Sequence, residues 1–202
     1  MGLTLQQFER MRNRVSGTRR VVVPGFADTV NASPARHQVI LGIDPSLRGT
    51  GYGVIRWAQP HPTALAHGTA RCPANWERSR CLVKIAETIR EVVKRHQPTA
   101  CVVEGLFYAQ NLRTALVLGE ARGAALVAAA EAGLEIFEIA PRKVKQAIVG
   151  YGGAQKLAVA KMVQRMLNLQ EPPPPDAADA LALALAHAQA NTRYGLSAPK
   201  RL

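Results

Sequence analysis

Apolar and polar positions along this chain follow two rhythms. Val39, Ile40, Leu41 and Ile43 form a short, β-branched run that ends on Asp44-Pro45. This is the pattern of a strand buried on both faces, stopped by proline with a carboxylate left at its end. Gly49, Gly51 and Gly53 punctuate a turn into Val54, Ile55 and Trp57. That predicts a second strand and a place where other backbone or a ligand comes close. Pro60 and Pro62 mark a further turn, and residues 63–71 predict a third strand that completes a meander. The rhythm then lengthens: Leu82, Ile85, Ile89, Val92 and Val93 recur at helical spacing among Lys84, Glu87, Arg90 and Lys94. An amphipathic helix is therefore expected over 75–96, ending near Gln97-Pro98. Residues 99–104 again read as a buried strand, and again a carboxylate, Glu104, stands at its end. Residues 109–132 are rich in alanine and leucine, with Gly119 and Gly123 four apart, which predicts a helix packed closely against a neighbour, within the domain or across a dimer. A fifth strand is expected over 134–139 and a helix over 154–168, with a glycine turn, Gly150-Tyr151-Gly152-Gly153, between them. The turn matches neither the dinucleotide fingerprint nor the P-loop and reads as a plain connection. Glu171 and four prolines then halt the chain before a last helix that opens on Asp176.

The ends of the chain break these rhythms. Residues 1–37 carry six arginines against Glu9 and Asp28, with no apolar core of a signal peptide, and read as a basic N-terminal extension. Residues 192–202 read as a short basic tail. A length of 202 residues at 48% apolar suits one domain with a sizeable core. A net charge of +12 points to a polyanionic partner, nucleic acid first. Cys72, Cys81 and Cys101 are odd in number and lack CxxC spacing, as expected of reduced, buried cytosolic thiols. Glu120, Arg122 and Glu131 interrupt the most hydrophobic region, so no membrane span is expected.

Charge turns attention to four acids. Asp44 and Glu104 end strands, and Asp176 and Asp179, three apart, share one face at the start of a helix. One such Asp is an ordinary N-cap that also complements the helix dipole; two with only alanines between them are not. Adjacent parallel strands lie ~4.8 Å apart, so the two strand-end carboxylates can share a site. Clustered carboxylates raise one another's pKa unless a cation neutralises them, and hard oxygen ligands suit Mg²⁺ or Mn²⁺. Two such ions ~3.5–4 Å apart serve in-line attack of water on a phosphodiester. Retaining glycosidases also pair two carboxylates, but a strongly basic protein argues for a nuclease.

The runs LGIDPSLRGTGYGVI, VVEGLFYAQNLRTALVLGEARG, RKVKQAIVGYGGAQKLAVAKMV and DAADALALALAH resemble, in order, the RuvC family of Holliday junction resolvases over about 38–190. The resemblance implies an α/β, RNase H-like fold: a five-stranded mixed sheet flanked by helices on both faces, forming a nuclease domain over 38–191. It implies a cytoplasmic, metal-dependent endodeoxyribonuclease of recombination and repair that nicks two opposed strands of a four-way junction symmetrically. The family's acidic tetrad falls on Asp44, Glu104, Asp176 and Asp179, catalytic and metal-holding, with two Mg²⁺ per site and Mn²⁺ able to substitute. Its base-stacking aromatic falls on Phe107, with Tyr108 beside it, and its phosphate-contacting lysines fall on Lys145 and Lys156. The partners implied are junction DNA, a second copy through the 109–132 helix, and the RuvA–RuvB branch-migration complex. Ser46 stands where glycine is expected after Asp-Pro, and residues 1–37 have no counterpart in the usual family member. A non-catalytic junction-binding or RNA-processing protein on the same fold is the main alternative, and would be favoured by loss of any one acid. An actin-like nucleotide-binding enzyme shares the aspartate and glycine turn but needs further phosphate loops, and none is evident.

Overall fold

The computed structural model describes residues 38–58, 60–105, 111–190 and 199–202. The expected N-terminal extension, the aromatics Phe107 and Tyr108, and most of the C-terminal tail lie outside the described residues. Strands β1 (Val39–Asp44), β2 (Gly49–Arg56) and β3 (Thr63–Arg71) form the predicted antiparallel meander. β4 (Ala100–Glu104) pairs parallel with β1, and β5 (Glu135–Ile139) pairs parallel with β4. The sheet has six strands in the order β3-β2-β1-β4-β5-β6, which corrects the expected five. The sixth, β6 (Lys200–Arg201), comes from the supposed tail and pairs antiparallel with β5. Two residues are too few to show alternation; what holds them is tertiary, including an ion pair of Arg201 with Glu135 at 2.8 Å.

Five helices lie among the described residues: α1 (Arg78–His96), α2 (Leu112–Glu131), α3 (Pro141–Val149), α4 (Lys156–Met166) and α5 (Pro175–Ala190). α1 starts later than its apolar period suggested and stops where expected, on Gln97 in a left-handed cap whose N–H donates to the Val93 carbonyl. Strand alternation sorts the core into two layers. Leu41, Ile43, Val54 and Cys101 pack against Ile85 and Ile89 of α1 and Ala125 and Ala129 of α2. Ile40, Ile55 and Val102 pack on the other face against Val144 of α3, Val159 and Val163 of α4, and Leu181 and Leu185 of α5. All three cysteines are buried and free.

Gly49, Gly51 and Gly53 are not a turn. They lie within β2, alternating onto the face that α5 covers. A Cβ on Gly42 would be driven into the Ala180 carbonyl and one on Gly51 into the Asp176 carbonyl; one on Gly53 would stand 2.7 Å from the Leu181 side chain. The expected close approach is therefore backbone on backbone, with an alanine-rich helix lying on a glycine path. Gly119 and Gly123 of α2 behave differently, because a Cβ at either would meet nothing within 4 Å. Among the described residues, neither glycine meets a neighbour inside the domain.

Candidate active site

Period two decides where the acids point. Asp44 shares the parity of Ile40 and Gly42 on β1, and Glu104 that of Val102 on β4, so both carboxylates emerge on the α5 face. The parallel register sets Ile43 opposite Val103, which leaves Asp44 and Glu104 as neighbours one residue beyond. Pro45 ends β1. The chain then turns through Ser46, whose N–H donates to Thr50 Oγ1 at 3.1 Å while that hydroxyl donates to the Ser46 carbonyl at 2.6 Å. Arg48 fastens the turn from outside, donating to the carbonyls of Pro73 at 2.6 Å and Trp76 at 3.0 Å and to Cys81 Sγ at 3.2 Å.

The last helix brings the other two acids. Pro175 occupies the first helical position, where its missing N–H costs nothing. Seated on the glycine path, α5 presents Asp179 to the strand-end pair and lays Asp176 beside Gly49, where an added Cβ would stand 3.2 Å from Asp176 Oδ2. Asp44, Glu104, Asp179, Lys145 and Lys156 line one cleft of about 240 Å³ with Pro141 and Val144 of α3. Asp176 is not among its lining residues; it stands a turn earlier on α5, at the β2 side.

The electrostatics are those of crowded anions. Burial, then the charges of Glu104 and Asp179, push the Asp44 carboxyl up to about 8, and its side-chain bond to Glu104 acts in the same direction. Glu104 is raised as well, by burial first and by Asp179 second, while its bond with Asp44 opposes the rise. Burial and crowding of like charge thus favour the protonated form at both members of the pair, Asp44 above all. Lys156 Nζ lies 2.9 Å from Asp179 Oδ2, and that bond leads the causes that raise the lysine. Among the described residues no three acids or imidazoles converge tightly enough to enclose an ion by themselves. The donor set nevertheless fits Mg²⁺ or Mn²⁺, which take one or two carboxylates and complete their shell with water and substrate phosphate.

The sequence reading missed what frames these groups. Arg48 was unremarkable because its acceptors lie 25 to 33 residues away. Arg122, noted only as an interruption of apolar sequence, is buried in an ion pair with Glu138 of β5, the neighbour in register of Val103. A charge inside an alanine-rich helix was the available signal.

A six-stranded mixed sheet thus bears carboxylates at adjacent parallel strand ends, with more on a helix crossing them, and the same fold is found in solved RuvC nucleases. The family model for "Crossover junction endodeoxyribonuclease RuvC" matches residues 40–187. A protein of that name from Protochlamydia amoebophila is 45% identical over 152 residues, covering 75% of this chain and 90% of its own. Another from Pasteurella multocida is 48% identical over 150 residues, covering 74% and 78% respectively. The solved T. thermophilus RuvC in complex with Holliday junction substrate superposes with a TM-score of 0.75 at 36% identity, over 82% of this chain and all of that one. The chain belongs to the RuvC family of crossover junction endodeoxyribonucleases, a family of metal-dependent nucleases.

Proposed function

We propose that this protein resolves four-way DNA junctions by hydrolysing one phosphodiester in each of two opposed strands. The catalytic groups are Asp44, Glu104, Asp176 and Asp179, holding two Mg²⁺, or Mn²⁺ in their place. The observation that carries this reading is the Asp44–Glu104 pair: two carboxyls in one cleft, both raised by burial first and by neighbouring anions second, in a protein of net charge +12. Bound there, divalent ions supply an activated water and stabilise the leaving oxygen. The protein's own part is to fix four oxygen donors on two strand ends and one helix, and to bring the phosphate to them. Lys145 and Lys156 line the same cleft and offer ammonium groups to the backbone of the cut strand. Phe107 stacks on a base at the crossover, with Tyr108 beside it.

Opposed strands call for two sites related by a two-fold axis, and hence for a dimer. One face of α2 carries Leu112, Leu116, Gly119, Gly123 and Val127, opposite its buried residues, and its two glycines leave room for another backbone. That face supports pairing with a second copy. We place the protein in the cytoplasm with the branch-migration complex RuvA–RuvB as partner; no described helix is long and apolar enough to cross a membrane. The non-catalytic alternative needs an acid to be missing, and all four are present.

The deciding assay is Mg²⁺-dependent nicking of a synthetic four-way junction beside a linear duplex of the same sequence. Paired nicks in the junction and an intact duplex are expected. Equal cutting of both, or of neither, would overturn the proposal.

A further inference from the structure

The turn between α3 and α4 has a feature that core packing does not explain. Tyr151 stands 57% exposed, and Leu157, one residue past Lys156, is 65% exposed. The rest of the hairpin has ordinary uses for its apolar residues: Val144, Ile148, Val159 and Val163 are buried beneath α5. A large aromatic left in water on the turn that joins two cleft-lining lysines is the kind of group that nucleic-acid-binding proteins use as a stacking platform.

Its setting is built rather than loose. Gly150 caps α3 at φ 97°, its N–H donating to the Gln146 carbonyl. Gly152 lies against the aliphatic part of Arg142, where a Cβ would clash, and the Tyr151 ring lies within 3.8 Å of the Cβ position of Gly153. The turn leads from the helix of Lys145 to the first residue of the next helix, Lys156, and both lysines line the acidic cleft. Helical rise from Lys145 to Gly150 plus one further residue puts the Tyr151 Cα within about 12 Å of the Lys145 Cα. At 3.4 Å per nucleotide along a strand, that is a reach of roughly three or four nucleotides.

Building on the junction-cutting function proposed above, we propose that Tyr151 is a stacking contact for a base of the strand being cut, a few nucleotides from the scissile phosphate. Lysines on either side hold the backbone, and the ring holds a base, so the strand is located along its length as well as drawn into the cleft. Because purines and pyrimidines differ in stacking strength, the contact also biases which sequences are cut fastest.

The test uses the full chain and junctions carrying 2-aminopurine, in turn, at each of four positions on either side of the cut. On binding to the wild-type protein, one position should lose fluorescence through stacking, and Tyr151→Ala should abolish that quenching. Tyr151→Ala should also weaken junction binding about tenfold, within the ~1–3 kcal/mol per stacked base, while Tyr151→Phe stays within about twofold. Melting temperature should be the same in all three proteins, since the ring supports no core. The proposal falls if no position is quenched by the wild type, if quenching survives in Tyr151→Ala, or if Tyr151→Phe is as impaired as Tyr151→Ala. A wild-type protein that binds and cuts the junction while failing these points overturns this contact alone. One that ignores the junction overturns the function on which it rests.

Discussion

α2 and α5 are the two alanine-rich helices of this protein and look alike along the chain, yet they occupy opposite situations. α5 is buried from Ala180 through Ala188 without interruption, lying on β1 and β2 where Gly42, Gly51 and Gly53 leave no side chains in its way. α2 buries Ala121, Arg122, Ala125, Ala128 and Ala129 on one side, and on the other shows glycines where an added Cβ would meet none of the described residues, between exposed Leu116 and Val127. Small residues permit close approach in both, but α5 is enclosed by the fold, whereas α2 meets the described residues on one side only. Hence α5 can fix the positions of acids, while α2 leaves one face uncovered by the described residues.

The contrast breaks hardest at the acids that α5 completes. Asp44→Asn should lower cleavage by more than ~100-fold, because even outer-shell partners of metal ligands are worth ~10–100-fold, while junction binding in EDTA stays near wild type. The same variant should change the pH dependence of the metal-free fold. Burial and neighbouring carboxylates push the folded Asp44 carboxyl up to about 8, against 3.8 for an ordinary aspartate. Between these values the unfolded chain has released a proton that the fold retains, so stability falls as pH rises through that window and levels off above it. Asparagine removes this contribution, so Asp44→Asn should melt higher than wild type at pH 7 in EDTA, with the difference vanishing near pH 4. A variant that cuts at the wild-type rate, or melts lower at pH 7, contradicts the site.

The glycine path comes next. Gly51→Ala should cost ~1–3 kcal/mol or more by denaturant titration, since the new methyl has only the Asp176 carbonyl to displace. Cleavage should fall with it, because Asp176 is carried on the helix that must move. Replacing the α2 glycines should do the reverse within one chain. Gly119→Ala and Gly123→Ala meet open space and should each stabilise the fold by ~0.8–1 kcal/mol through helix propensity. Gly123→Leu should leave the fold intact but raise the dimer dissociation constant measured by sedimentation; an unchanged constant would put the dimer elsewhere. The smallest effect is expected at the lysines, where Lys145→Ala should flatten the salt dependence of junction binding by roughly one unit. A slope equal to wild type returns Lys145 to solvated surface.

Much of the fold was legible along the chain because it is written in local periods. The three-strand meander, the acids closing β1 and β4, and the stop at Gln97-Pro98 follow from alternation, helical spacing and proline, and each involves residues close in sequence. Helical spacing likewise put Asp176 and Asp179 on one helix, but could not show that Asp179 alone of the two lines the cleft while Asp176 lies beside Gly49. The sequence could not show that the β2 glycines face a helix rather than form a turn, because the two readings differ only in what lies about 130 residues further on. Nor could it show β6, whose two residues have no period, or the Arg48 and Arg122 contacts, whose partners are distant along the chain. It determined which four carboxylates are available, on which elements, and that the whole is basic. Tertiary structure alone decided how near those carboxylates lie, and so that Asp44 holds its proton up to about 8: burial and Coulomb repulsion depend on through-space distance, and the distance is set by α5 settling onto glycine.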